Sequence, residues 1–244
     1  MKFRNADPTR SLRSQREIHS DPFSSLTPFR IAVLASGRGS NLQALIDAIA
    51  VGTLDARIAG VFSDKPDASA LQRARFAGIP THVLEPREFA TRLAFDEQLF
   101  SRIDALQPDL IVCAGYMRLI SEREVQGRRG RLLNIHPSLL PAFKGLRTHT
   151  QALAAGVQEH GASVHYVTPD LDGGPVIAQV RVPVQAGDDS ESLAKRVLSR
   201  EHPLLVETLA LIAAGRIALA GDAVQLDGTS LSTPLQLGAN NHFP

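Results

Sequence analysis

Ile31-Ala32-Val33-Leu34-Ala35-Ser36-Gly37-Arg38-Gly39-Ser40-Asn41-Leu42 decides the fold of this 244-residue chain. Its first five residues form an unbroken apolar run, the pattern of a strand buried on both faces. A Gly-Ser loop follows, and then Leu42, Leu45, Ile46 and Ile49 recur at the spacing of one helix face. A buried strand passing at once into a helix opens a strand-helix-strand unit, whose next strand lies parallel to the first.

The alternation continues downstream. Strands are expected over Arg57 to Ser63, Thr81 to Leu84, Leu110 to Ala114 and Leu132 to Ile135. Helices are expected between them, over Ala68 to Ala77, from about Phe89 to Leu106, and in a short piece near Ser121. Parallel strands need crossover connections, so the predicted class is α/β: a doubly wound, mostly parallel sheet with helices on both faces. The rhythm breaks at Ala162 to Thr168 and Val176 to Val182, two strand-like segments separated by the turn-rich Pro169 to Pro175. These add antiparallel pairing and make the sheet mixed. A long helix over Ser190 to Ala214 and a small strand over Val224 to Leu226 complete the pattern.

Three parts follow from this reading: residues 1–29, a polar and mostly disordered extension; residues 30–221, a single domain; and residues 222–244, a short strand with a polar tail. The composition, 43% hydrophobic and 21% charged, supports one sizeable core. A net charge of +1 provides no long-range field for nucleic acid or an anionic membrane and directs attention to small-molecule chemistry. The lone Cys113, inside an apolar run, excludes an internal disulfide framework and a cysteine zinc site, and fits a reducing cytoplasm. No stretch reaches the roughly 20 apolar residues of a membrane span, and the N-terminus lacks the apolar core of a secretory signal.

Ser36-Gly37-Arg38-Gly39-Ser40-Asn41 joins the first strand to the first helix. Glycines let backbone amides approach an anion, and the helix N-terminus adds unpaired N–H groups and a favourable dipole. The dinucleotide fingerprint fails at its third glycine, where Leu42 stands, and no Gly-Lys-Ser/Thr ends the loop. The loop reads as a cradle for one phosphate, with a merely structural tight turn as the alternative.

Two further segments carry chemistry. Asn134-Ile135-His136-Pro137-Ser138-Leu139-Leu140-Pro141 follows a strand, and the two-residue period places Asn134 and His136 on one side of it. Pro137 restricts His136 to extended backbone. Leu171-Asp172-Gly173-Gly174-Pro175 places Asp172 in a Gly-rich bend, where it reads equally as a turn former or as a functional carboxylate. Together the three side chains make a coherent set: an amide to hold a carbonyl oxygen, an imidazole to stabilise developing charge, and a carboxylate to orient the imidazole and favour its charged form. His165 lies near this set and reads equally as a satisfied core histidine. The eight histidines show no metal-ligand spacing, and no metal is expected.

Ser36 to Asn41, Ala114-Gly115-Tyr116-Met117-Arg118, Asn134 to Pro141, Ser163-Val164-His165 and Leu171 to Pro175, in this order over residues 30–220, resemble the phosphoribosylglycinamide formyltransferase family. The Asn134 to Pro141 segment alone is similar across hydroxymethyl- and formyltransferases; the ordered combination is more specific. The resemblance implies formyl transfer from 10-formyltetrahydrofolate, as cosubstrate, to the amine of glycinamide ribonucleotide. It implies catalysis by Asn134, His136 and Asp172, nucleotide binding by Gly39, Ser40, Asn41 and Glu201, and folate contacts from Arg92, Met117, Arg118, Leu119, Ile120 and Asn134. It further implies a monomer or homodimer with small-molecule partners only. Formyltetrahydrofolate deformylase, in which water replaces the amine, is the nearest alternative, although a phosphate cradle has little use there. A noncatalytic nucleotide-binding protein on the same scaffold is the other; methionyl-tRNA formyltransferase fits less well, since no basic second domain is present.

Overall fold

The computed structural model describes residues 28–244. The extension read over residues 1–29 therefore lies outside the described residues except at its end, where Phe29 already belongs to the first strand. The elements run β1 (Phe29–Leu34), α1 (Ser40–Ala50), β2 (Ala56–Ser63), α2 (Ser69–Phe76), β3 (Thr81–Val83), α3 (Arg92–Asp104), β4 (Leu110–Cys113), α4 (Glu122–Gln126) and β5 (Leu132–His136). Then follow α5 (Thr148–Ala154), β6 (Glu159–Tyr166), β7 (Val176–Pro183), α6 (Ser190–Ala213), β8 (Ile217–Ala220), β9 (Ala223–Leu226), β10 (Thr229–Ser230) and β11 (Leu235–Gln236).

Eight strands form one sheet in the order β11-β7-β6-β5-β4-β1-β2-β3. The pairs from β3 to β5 are parallel, β5–β6 and β6–β7 are antiparallel, and β11 lies parallel to β7. The mixed, doubly wound sheet expected from the sequence is present. β8, β9 and β10 form a separate antiparallel sheet.

Alternation along β1 divides the core. Ile31 and Val33 face α1, α2 and α6, packing with Leu42, Leu45, Leu71, Val197 and Leu205. Ala32 and Leu34 face α3 and α4, packing with Phe95, Leu99, Phe100, Ile103 and Val125. Each such leucine or phenylalanine, taken fully out of water, contributes about 1.5–3 kcal/mol.

Local chemistry sets the helix ends. The helix expected from Phe89 begins at Arg92, because Thr91 accepts a hydrogen bond from the Ala94 amide at 3.1 Å and caps it there. Asp189 and Ser192 form a reciprocal capping box that starts α6. The sequence reading missed α5, a seven-residue helix that shows no apolar period. It also missed β8, β10 and β11, which are four residues or fewer and take their form from their partners.

Candidate active site

β1, β4 and β5 are neighbours in the sheet, and the loops after all three emerge at their C-terminal ends. Chain connections leave β1 toward β2 on one side and reach β4 and β5 on the other, which opens a crevice where ligands bind in such folds. The first two loops are joined: the Ser36 amide donates to the Gly115 carbonyl, and the Met117 amide to Ser36 Oγ, both at 3.0 Å.

The antiparallel register of β5 and β6 sets Asn134 opposite His165 and His136 opposite Ser163. All four side chains share one face, while Leu133, Ile135, Val164 and Tyr166 turn to the core on the other. His165 Nδ1–H donates to the Tyr166 carbonyl at 3.0 Å, so its Nε2 accepts from Asn134 Nδ2 at 3.1 Å. His136 is buried, with Nε2 donating to the Phe143 carbonyl at 3.0 Å and Nδ1 at 3.5 Å from Asp172 Oδ2. Asp172 sits at φ 45°, uncommon for a non-glycine residue, and its Oδ2 accepts from the Gly145 amide at 2.8 Å. Asn134, His136 and Asp172 thus lie in one cluster, with His165 linking the amide to the carboxylate side: His165 Nε2 is 3.7 Å from Asp172 Oδ1.

That last approach is no ion pair. Burial pushes the His165 imidazolium down to about 4, against the opposing pull of its bond to Tyr166 and of Asp172, so the ring is neutral at pH 7 and acts as an acceptor. The unfolded chain protonates the same ring near the ordinary value of about 6.5, and hence binds more protons between the two values. Stability is therefore complete above that window and falls as pH drops through it. Between pH 7.5 and 5.0 His165→Asn, which has no proton to gain, is expected to lose about 2 kcal/mol less stability than the parent in urea unfolding. Equal losses in the two proteins would show that His165 titrates normally in the fold.

The loop that follows His136 is braced from beneath. Ser163 Oγ donates to the Ser138 carbonyl at 2.7 Å and accepts from the Leu140 amide at 3.0 Å. Gln179, on β7, donates to the Leu140 carbonyl at 2.9 Å and to Ser163 Oγ at 3.0 Å. The Asp172 bend needs a glycine at 174, since a Cβ there would stand 1.9 Å from the Tyr166 carbonyl oxygen. Cys113, at the end of β4, is no nucleophile: burial pushes its thiol up to about 12.

At the other end of the crevice, Gly39 precedes α1 with φ 71°, and a Cβ would lie 2.7 Å from Ala70 of α2. The first intrahelical bond of α1 runs from the Gln43 amide to the Gly39 carbonyl, so the amides of Ser40, Asn41 and Leu42 have no acceptor within the helix. α6 brings Glu201 to the same spot. The buried carboxylate accepts from Asn41 Nδ2 at 2.9 Å, while Asn41 Oδ1 is buried without a partner. Burial raises the Glu201 pKa, partly offset by the Asn41 bond and by the charge of Arg38. Gly39, Ser40, Asn41 and Glu201 are therefore contiguous although 160 residues separate Asn41 from Glu201.

Met117 and Leu119, in the loop after β4, expose more than half of their surface, while Ile120 packs inward and the Arg118 guanidinium lies 5.0 Å above the Phe95 ring. Arg92 is exposed at the start of α3, where its charge acts on Asp96. Leu146 and Leu171, not singled out from sequence as site residues, are also exposed apolar side chains, on the loops that carry Gly145 and Asp172. Their proximity in sequence to the motifs was the available signal. Among the described residues, no group of three His, Cys, Asp or Glu side chains is arranged to hold a metal ion, and no helix is long and apolar enough to cross a membrane.

Residues 29–209 match the family model described as formyl transferase. The phosphoribosylglycinamide formyltransferase of Escherichia coli is 50% identical over 201 residues, 82% of this chain and 95% of that protein. The solved structure of the Coxiella burnetii phosphoribosylglycinamide formyltransferase superposes with a TM-score of 0.82 at 48% identity, covering 84% of this chain and 97% of that one. A formyltetrahydrofolate deformylase from Pseudomonas syringae superposes with a TM-score of 0.76 at 25% identity, covering 82% of this chain and 66% of that one.

Proposed function

Because this chain belongs to the formyl transferase family, we propose that it moves the formyl group of 10-formyltetrahydrofolate onto the amine of glycinamide ribonucleotide. The observation that carries this reading is the placement of its two anchor points in the sheet. β5, which ends in His136, lies two strand positions from β1, which leads into the phosphate cradle. Two strand spacings are about 10 Å, a span that a ribose with an amide arm covers from its phosphate to its terminal amine. Identities near one half to the two transferases, against one quarter to the deformylase, support the amine rather than water as acceptor.

In this reading the loop amides after Gly39 hold the phosphate, and Asn41 with Glu201 holds the sugar side of the nucleotide. Met117, Arg118, Leu119, Ile120 and Arg92 receive the folate, apolar groups against its rings and guanidinium groups toward its carboxylates. The amine attacks the formyl carbon, whose oxygen takes up negative charge. One Asn134 Nδ2 hydrogen is held by His165, which leaves the second free to donate to that oxygen. His136 joins it by exchanging the Phe143 carbonyl for the oxyanion; a well-aimed donor is worth roughly 3–4 kcal/mol. Asp172 orients His136 and helps pass a proton from the attacking nitrogen to N10 of the folate as the C–N10 bond breaks. The products are the N-formylated nucleotide and tetrahydrofolate, formed without a covalent enzyme intermediate. The lone buried thiol fits work in a reducing cytoplasm.

Incubating the protein with 10-formyltetrahydrofolate, with and without glycinamide ribonucleotide, tests the proposal. Tetrahydrofolate release is expected only when the nucleotide is present. Equal release without it means that water is the acceptor, and the transferase reading fails.

A further inference from the structure

Residues 222–244, polar in composition, are tied into the molecule at two places that matter to the site. β11 pairs with β7 at Leu235↔Ala178 and Gln236↔Gln179, and the Leu237 amide donates to the Gln179 carbonyl at 2.9 Å. Leu237 is buried, and Leu231, Leu235 and Phe243 pack against the main core. Gln179 is the same residue whose side chain braces the loop after His136.

Beyond β11 the chain closes a compact turn: the Gly238 amide donates to the His242 carbonyl at 2.9 Å and the Asn241 amide to the Gly238 carbonyl at 3.0 Å. The turn is fastened along α6. Arg200 Nη2 donates to the Gly238 carbonyl at 2.7 Å, Arg200 Nη1 donates to Asn241 Oδ1, and His242 Nδ1 lies 3.2 Å from Glu207 Oε2. Residues 200 and 207 are two helical turns apart, so the tail is fastened along about 10 Å of helix. Arg200 is the immediate neighbour of Glu201, the carboxylate that accepts from Asn41 at the phosphate cradle.

We propose that the C-terminal segment Leu235–Phe243 is a positioning element of the nucleotide site: it clamps α6 to the sheet edge and so holds Glu201 in register with Asn41. The segment touches neither Asn134, His136 nor Asp172 in any hydrogen bond, and its effect passes through Arg200 and the helix. A helix carrying a buried carboxylate must be placed to a fraction of an ångström for that group to share a hydrogen bond with Asn41 and still meet a ligand, and loss of one end of the clamp frees it. This rests on the assignment of the Asn41–Glu201 end to the nucleotide.

Two variants test it: a chain ending at Pro234, and full-length Arg200→Ala, which keeps β11. Both are measured well below their unfolding temperatures, after cooperative unfolding has been checked. Arg200→Ala is expected to raise the KM for glycinamide ribonucleotide about five- to tenfold while kcat and the KM for 10-formyltetrahydrofolate stay within about twofold; the truncation, which also frees Gln179, is expected to raise the nucleotide KM at least as far. The truncated chain carrying Arg200→Ala is expected to match the truncation alone, since the truncation already removes Gly238 and Asn241, the groups to which Arg200 donates. Hydrogen exchange without substrates is expected to show faster amide exchange around residues 198–205 in both variants, a result that does not depend on which reaction the protein performs. Unchanged nucleotide KM in folded Arg200→Ala, equal rises for both substrates, additive effects, or unchanged exchange in α6 would each overturn the proposal. A parent protein that shows no nucleotide-dependent turnover refutes the transferase reading instead, and the exchange measurement still decides whether the clamp exists.

Discussion

His136→Ala is expected to cut kcat by about 100- to 10,000-fold, the range for removing an acid–base group from a transition state. The imidazole is the one cationisable side chain of the cluster that faces both an acceptor which can be exchanged for substrate, the Phe143 carbonyl at 3.0 Å, and a carboxylate, Asp172 Oδ2 at 3.5 Å. Alanine leaves Asn134 and its second amide hydrogen in place, so residual turnover above the uncatalysed rate remains. Fold loss is measured separately, because removing a buried ring leaves a cavity; among the described residues the ring's one hydrogen bond is to the Phe143 carbonyl, a contribution of about 1 kcal/mol. Tetrahydrofolate formation under saturating substrates, alongside circular dichroism, measures both. A folded variant whose kcat stays within tenfold of the parent removes His136 from the chemistry.

Asp172→Asn is expected to lower kcat about 100-fold or more, with both KM values little changed. The substitution preserves volume, and the new amide oxygen can still accept from the Gly145 amide now bound to Oδ2 at 2.8 Å, so the Gly-rich bend keeps its shape. What disappears is the negative charge beside His136, and with it the group that orients the ring and passes the proton. Because the two residues act as one unit, the double variant should be scarcely slower than the slower single variant. Multiplying effects in the double variant would mean that Asp172 acts independently of His136, and a kcat near the parental value would leave Asp172 a turn former.

Much of the scaffold was legible without coordinates. The apolar run Ile31 to Ala35, the 3.6-residue period over Leu42 to Ile49 and their repetition downstream are local signals, and they located the sheet strands from β1 to β7 and the long α6 to within a few residues at most ends. The helix expected from Phe89 shows the limit of such signals, because a single threonine side chain at residue 91 moved its start. Asn134 and His136 were placed on one face by strand alternation alone, and the family resemblance drawn from the ordered motifs agrees with the matches over residues 29–209. The part played by His165 was not legible, nor was the brace made by Ser163 and Gln179. Neither residue type nor spacing reveals that Asn134 faces His165, which follows from the register of β5 on β6.

The sequence by itself determined the longer secondary elements, the α/β class and the residue types gathered at the loops, because backbone preference and apolar periodicity act over a few neighbouring residues. Only the tertiary structure decided that Asn41 meets Glu201, that a neutral His165 orients Asn134, and that a tail of polar composition supplies an eighth strand and fastens α6. Those contacts join residues tens to more than a hundred positions apart, and strand register and helix docking set them after the local elements have formed.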